Sequence, residues 1–378
     1  MDGTSDYFEA IIIGSGIAGA SAAYFLSARG MTDILILERE TQPGYHSTGR
    51  SAAVLVEFDL VRPIFQLKLL GAQFLRHPPP GFSEYPLLHE SGILILFEEP
   101  LWEEILGTVP ELRQLGVRVD VLDPEETVSR MPVVSSANFD GAMLLPRDGH
   151  IDVNELLWGY LRQARGRGAQ LRCNEEVVDI TLKAGRCTGV ITRSGEYRAQ
   201  WVINAAGAWA GKIRELIGPS LVQVTPYRRT IVTFKEPDGL DVRKWPLVAN
   251  LSHDLYFSPE SAGLMASPMD QEPMPPCDVR PDELGVARTM ERLKEFTPRL
   301  VPRTIIHKWA GLRTFAPDQV MVVGEDPDVK GFFWLAGQGG AGIETSPAVG
   351  QVAADLIVDG RTQLMDASVL SPARFTEP

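Results

Sequence analysis

The sequence predicts a mixed α/β (α+β) fold: one part with parallel strands and helices, and a second part on a mostly antiparallel sheet. Three observations lead there. A strand, a glycine-rich turn and a helix open the chain, two later segments return to small residues at a strand end, and strand-like runs broken by turn residues fill the intervals. The chain of 378 residues is long enough for two domains.

In the opening unit, Ala10-Ile11-Ile12-Ile13 is an apolar, β-branched run that reads as a buried strand. Gly14-Ser15-Gly16-Ile17-Ala18-Gly19 follows, then helix formers from Ala20 to Ala28. A second buried strand, Ile34 to Leu37, closes on Glu38. Gly14 permits a tight turn, Gly16 lets backbone approach a pyrophosphate, and Gly19 lets helix and strand pack closely. The helix N-terminus would direct free N–H groups at phosphates, with Ile17 and Ala18 at that end, and Glu38 would accept from ribose hydroxyls. A Rossmann-like dinucleotide site is therefore expected; a glycine turn that has lost its ligand would show the same pattern. Such a fingerprint near the N-terminus often belongs to FAD. The following loop, with Arg39 and then Ser47-Thr48-Gly49-Arg50-Ser51-Ala52-Ala53, offers hydroxyls and cations to a pyrophosphate and a flavin rim.

The two returns are Gln200 to Trp209, which includes Ala206, Gly207 and Trp209, and Phe332 to Ile343, which includes Gly337, Gly339, Gly340 and Gly342. Small side chains at strand ends allow close approach to a cofactor. A helix is expected from Ser346 through Ile357, with Pro347 in its first turn. In the intervals between these cofactor-facing segments, Ile93 to Phe97, Arg229 to Phe234 and Leu255-Tyr256-Phe257 read as strands, and residues 283 to 296 as a helix. The expected division gives 1–75, 146–219 and 306–378 to the cofactor domain, and 76–145 and 220–305 to a substrate domain.

Composition narrows the function. Asp and Glu number 49 against 36 Lys and Arg, and a net charge of −13 argues against nucleic acid as a partner. Cys173, Cys187 and Cys277 lack metal or disulfide spacing. The acidic start lacks a signal peptide's basic end, and a cytoplasmic setting is expected.

These motifs, with Trp309-Ala310-Gly311-Leu312-Arg313 and Gln338-Gly339-Gly340-Ala341-Gly342-Ile343, resemble the D-amino-acid oxidase superfamily of FAD enzymes. Within it, the segment from Glu38 to Ala53 is most similar to D-arginine dehydrogenases. The resemblance implies non-covalent FAD, since residues 332 to 346 hold no cysteine, with Val177 and Gly311 added to its contacts. It also implies oxidation of a D-amino acid, by hydride transfer to flavin N5, to an imino acid and then a 2-oxo acid and ammonia. Arg229 and Arg313 would grip the substrate carboxylate bidentately, Tyr256 would reach it too, and the Gly340 carbonyl would accept from the amine. Taken singly, Arg313 would also suit a structural ion pair and Tyr256 a core position. Arg228 reads as the solvated neighbour of Arg229.

The departures are specific. The acid that pairs with a substrate guanidinium falls at Gly92 or Ile93, and Val54-Leu55-Val56-Glu57-Phe58-Asp59 replaces a histidine, threonine and tyrosine lid. Leu247 and Ala249 stay apolar, Glu344 replaces a glutamine, and Glu57, Asp59, Glu90 and Glu344 could supply a negative wall. Oxidation of a 2-hydroxy acid or an N-methyl amino acid, or a flavoprotein with a binding or assembly role, are the alternatives. A quinone or another electron acceptor is compatible with the sequence, which is silent on oligomeric state.

Overall fold

A computed structural model describes residues 7–135, 137–261 and 263–376. Strand Tyr7–Ile13, apolar and buried from Ala10 onward, lies at the centre of an eight-stranded sheet. Ile34–Leu37 pairs on one side and Glu196–Asn204 on the other, both parallel. Gln170–Arg172 extends the sheet beyond Ile34–Leu37, and Phe332–Ala336 pairs with the far half of Glu196–Asn204, again in parallel. Strands buried on both faces need continuous apolar runs, and Ile34–Leu37 and Phe332–Ala336 are buried throughout. Val177–Lys183 and Arg186–Thr192 form an antiparallel extension against the near half of Glu196–Asn204.

Helices Ile17–Ala28, Val153–Gly166 and Gly342–Asp359 pack together over one face, around Tyr24, Tyr160 and Val352. The amphipathic helix Arg62–Arg76 crosses Gly342–Asp359 so closely that a Cβ on Gly71 would sit 2.1 Å from the Glu344 carbonyl oxygen. The last of these helices starts at Gly342, four residues earlier than expected, and Pro347 lies inside it. Pro347 has no N–H for the Ile343 carbonyl; the Ser346 hydroxyl donates to that carbonyl instead, at 2.9 Å.

The second sheet has nine strands. All its pairs are antiparallel except Leu247–Asn250 with Ile93–Phe97. Strand Ile305–Phe315 belongs here, paired along its length with Thr225–Phe234, although the sequence placed residues from 306 onward with the cofactor part. The sequence does not predict helices Arg62–Arg76, Val153–Gly166 or Ala210–Glu215, nor Leu101–Gln114 and Pro124–Arg130 beside this sheet. The last of these begins in the Pro/Asp/Glu-rich stretch, where the Asp123 carboxylate accepts from Glu126 N at 2.8 Å and Pro124 occupies the first turn. Among the described residues, no helix is long and apolar enough to cross a membrane.

Because Gly71 meets backbone rather than a movable side chain, Gly71→Ala should force the two helices apart and lower stability by about 1–3 kcal/mol. Urea denaturation measures this, and an unchanged midpoint and slope would refute the close crossing.

Candidate active site

The C-terminal ends of the parallel strands converge on a backbone cradle. Gly14 has φ +100°, and a Cβ there would lie 2.7 Å from the Ala205 carbonyl oxygen. A Cβ on Gly19 would lie 2.0 Å from the Gly14 carbonyl oxygen, so helix Ile17–Ala28 can sit on its strand only with glycine there. The Thr48 hydroxyl accepts from Ile17 N at 3.0 Å, which ties the hydroxyl-rich loop to the helix start. Ser47 donates to the Leu312 carbonyl at 2.7 Å.

One end of the cradle is lined by Gly14, Leu37, Glu38, Arg39, Ser47, Thr48, Val177, Ala206, Gly207 and Trp209. Glu38 is buried here, accepting from Ser15 N, Ser15 Oγ and Glu40 N at 2.8–3.0 Å. The Arg39 guanidinium lies 3.9 Å from the Trp209 ring centroid, and His46 packs against the other side of this group at 4.6 Å from Trp209 and 2.8 Å from Glu40. The opposite end is lined by Gly16, Ile17, Ala18, Thr48, Arg50, Ser51, Ala52, Gly311, Arg313, Gly339, Gly340, Gly342 and Ile343. Gly19 and Gly337 line neither end; they shape the turns, Gly337 at φ +73°. Arg50 lines the cradle, but its guanidinium is committed to Asp278 at 2.5 Å and the Val279 carbonyl at 3.0 Å.

A cavity of about 480 Å³ opens beyond Ala52, between the second sheet and the helices Arg62–Arg76 and Gly342–Asp359. Strand pairing explains which arginines reach it. Arg229 faces Gly311 across the ladder and Arg313 faces Tyr227, so period-two alternation sends Arg229 and Arg313 to one face and Arg228 to the other. Arg228 pairs with Glu272 and with Asp282; it is held by carboxylates rather than solvated. Gly340 sits under Arg313, where a Cβ would come within 2.7 Å of Nη1.

Arg229 is buried, with only Nε engaged, donating to the Asp270 carbonyl at 2.9 Å. Among the described residues, Arg229 Nη1 and the Tyr256 hydroxyl are buried without a hydrogen-bond partner. Burial and the Arg313 charge together push the Arg229 pKa down to about 9. Arginine stays protonated at neutral pH, so Arg229 is a buried cation beside a second cation.

Ile93, Ile95, Leu247, Ala249 and Leu251 form an apolar wall. Of the four candidate carboxylates, Glu57 is bound to Arg76, and Glu90 to Arg76 and Arg147. Neither lines the cavity. Asp59 and Glu344 do, together with Lys68, which the sequence reading missed. Lys68 lies on the buried stripe of helix Arg62–Arg76, between Ile64 and Gly71. A cation on that stripe was the available signal, because burial requires a partner for it.

A dinucleotide cradle that opens into a cavity lined by two arginines is the arrangement of an oxidoreductase. A family model described as DAO, FAD dependent oxidoreductase, matches residues 9–356, and the chain belongs to that family. FAD-dependent oxidoreductase domain-containing protein 1 of Mus musculus is 29% identical, over 97% of this chain and 84% of its own. Human mitochondrial dimethylglycine dehydrogenase is 28% identical over 98% of this chain, which spans 44% of that longer protein. The crystal structure of L-proline dehydrogenase from P. horikoshii superposes with a TM-score of 0.85 at 22% identity, covering 98% of both chains, a likeness of fold.

Replacing Glu38 by alanine strands Ser15 N–H and Glu40 N–H and removes the carboxylate acceptor at this end of the cradle. Charge-assisted bonds of this kind contribute roughly 1.5–3 kcal/mol, so Glu38→Ala should retain FAD at least about tenfold less tightly. The flavin-to-protein absorbance ratio after gel filtration reads this out, and an unchanged ratio would remove Glu38 from the cofactor site.

Proposed function

We propose that this protein is an FAD-dependent oxidoreductase acting on the carbon–nitrogen bond of an amino acid with an apolar side chain. The observation that carries the reading is the unsatisfied buried donor set, Arg229 Nη1 and the Tyr256 hydroxyl, beside Arg313. A carboxylate supplies the missing acceptors and the missing negative charge together.

The residues present fit FAD. Gly14 and Gly16 line the cradle with backbone alone, Ile17 and Ala18 stand at the start of a helix, and Glu38 with Arg39 and Trp209 would hold the adenosine end. Ser51, Ala52, Gly339, Gly340, Gly342 and Ile343 would surround the flavin end. When bound, FAD supplies the two-electron acceptor. The chain's own part is to bind and orient. Arg229, Arg313 and Tyr256 would fix the substrate carboxylate, the Gly340 backbone stands beside Arg313, and the aliphatic wall would exclude water from the reacting carbon.

A D-amino acid is the substrate class implied by the arginine-clamp motif. An N-alkylated amino acid is the second reading, favoured by the relative named for dimethylglycine. Both place a carboxylate on the arginine pair and oxidise an adjacent C–N bond.

Arg313→Met should leave FAD bound and lower kcat/KM for flavin reduction by about a hundredfold or more, through loss of a bidentate charged contact. Reduction at the wild-type rate would make Arg313 structural. Across D-leucine, D-phenylalanine, D-arginine and N-methylglycine, apolar amino acids should give higher kcat/KM than D-arginine, because Ile93 and Leu247 offer a guanidinium no partner. A clear preference for D-arginine would overturn the apolar assignment, and absence of flavin reduction by every amino acid would overturn the reading itself.

A further inference from the structure

The cavity has a second polar wall, made of Asp59, Lys68 and Glu344. The Lys68 ammonium carries three protons and meets three acceptors: Asp59 Oδ2 at 2.9 Å, Glu344 Oε1 at 3.2 Å and the Phe58 carbonyl at 3.1 Å. Each carboxylate is also held by one backbone N–H, Asp59 by Val61 N at 2.9 Å and Glu344 by Val56 N at 2.7 Å. The loop from Val56 to Val61 is thereby fastened at both ends to the cluster.

Counting donors and acceptors gives the cluster a direction. Lys68 has no proton left to offer, whereas each carboxylate oxygen holds a second lone pair. Towards the cavity the wall is therefore an acceptor only, and with two carboxylates against one ammonium it carries an excess of negative charge when all three are ionised. The other charged groups on the cavity, Arg229 and Arg313, are donors only, and Tyr256 stands with them. One cavity thus holds a donor wall and an acceptor wall. Side-chain exposure distinguishes the two carboxylates: Asp59 is 24% exposed and Glu344 6%. Burial raises the Glu344 pKa, with Lys68 and the Val56 amide opposing it, which leaves Asp59 as the more accessible anion.

We propose that the Asp59–Lys68–Glu344 cluster is the amine-recognition wall of this cavity, with Asp59 accepting a hydrogen bond from the substrate nitrogen. The assignment rests on the amino-acid reading above and extends it. The donor wall selects a carboxylate, and the acceptor wall selects a protonated amine over a hydrogen or another acceptor at the same carbon. Lys68 is a positioning residue that holds two like charges side by side without touching the substrate.

The test uses FAD-loaded protein and two ligands that differ only in the amine. 2-Aminoisobutyrate has no hydrogen on its α-carbon and does not turn over there, and isobutyrate is the same skeleton without nitrogen. Calorimetric titration should find 2-aminoisobutyrate bound at least about tenfold more tightly than isobutyrate by wild type, the worth of one charge-assisted hydrogen bond. In Asp59→Asn the ratio should fall to about threefold or less, with isobutyrate affinity within about twofold of wild type. Glu344→Gln, which keeps an acceptor for Val56 N–H, is the second variant and should lower the ratio in the same direction, whether or not Asp59→Asn folds. A ratio near one in wild type, with isobutyrate bound, would overturn this proposal alone. Equal weakening of both ligands in both variants would do the same by making the cluster structural. Failure of wild type to bind either ligand would overturn the carboxylate reading and this one with it.

Discussion

The register between Thr225–Phe234 and Ile305–Phe315 is the constraint on which the site depends. It sets two guanidinium groups on one face of a sheet, close enough that the Arg313 charge adds to burial in lowering the Arg229 pKa. A slip of one residue would turn Arg313 to the opposite face and leave Arg229 alone. Several contacts hold the register from outside the ladder. Asp270 accepts from Thr230 N and Thr230 Oγ at 2.7 and 2.8 Å while its carbonyl accepts from Arg229. Arg50 reaches from the cofactor loop to Asp278 and Val279, and Trp309 Nε1 donates back to the Arg50 carbonyl at 3.2 Å. The carboxylate clamp and the cradle are thus positioned by one another.

The cradle obeys a second constraint, close approach of backbones. Gly14, Ala205 and Gly207 come from neighbouring strand ends, and Gly339 lies against Phe315, where a Cβ would be only 2.3 Å from the ring. Side chains at Gly14 and Gly339 would collide with the Ala205 backbone and the Phe315 ring, and the segments that frame the cradle could not approach so closely. This is why the cofactor end is built from alanine, glycine and serine and why its polarity comes mostly from backbone and hydroxyl groups.

Features encoded over a few residues were legible in the sequence. The apolar run, three glycines and closing acid of the first unit specify strand, turn, helix and strand locally, and Arg229 could be separated from Arg228 by motif. Features that depend on distant partners were not. Nothing near Ile305–Phe315 says that it joins the antiparallel sheet, since its partner lies about eighty residues earlier. Helix Leu101–Gln114 contains Gly107 and Pro110, which mask its period. The early start of helix Gly342–Asp359 depends on the Ser346 hydroxyl serving a carbonyl that Pro347 cannot. Lys68 was overlooked because a lysine between leucines reads as a solvated face until the facing elements show that its side is buried.

Net charge and site charge run in opposite senses, and the difference has a physical origin. The chain carries −13 overall, yet Arg229 and Arg313 give the cavity a strongly positive wall, because Glu57, Glu90 and Asp148 are held by Arg76 and Arg147 away from it. Surface carboxylates are screened over about 8–10 Å at physiological salt, whereas buried arginines act at full strength on whatever enters. Lys68 performs the complementary task, its charge opposing the burial that raises the Glu344 pKa; burial would lower its own pKa, but Glu344 and Asp59 hold it above the ordinary lysine value. An acidic protein can in this way admit a carboxylate. The ligand that satisfies both walls bears one charge of each sign and an uncharged remainder, which faces the wall from Ile93 to Leu251.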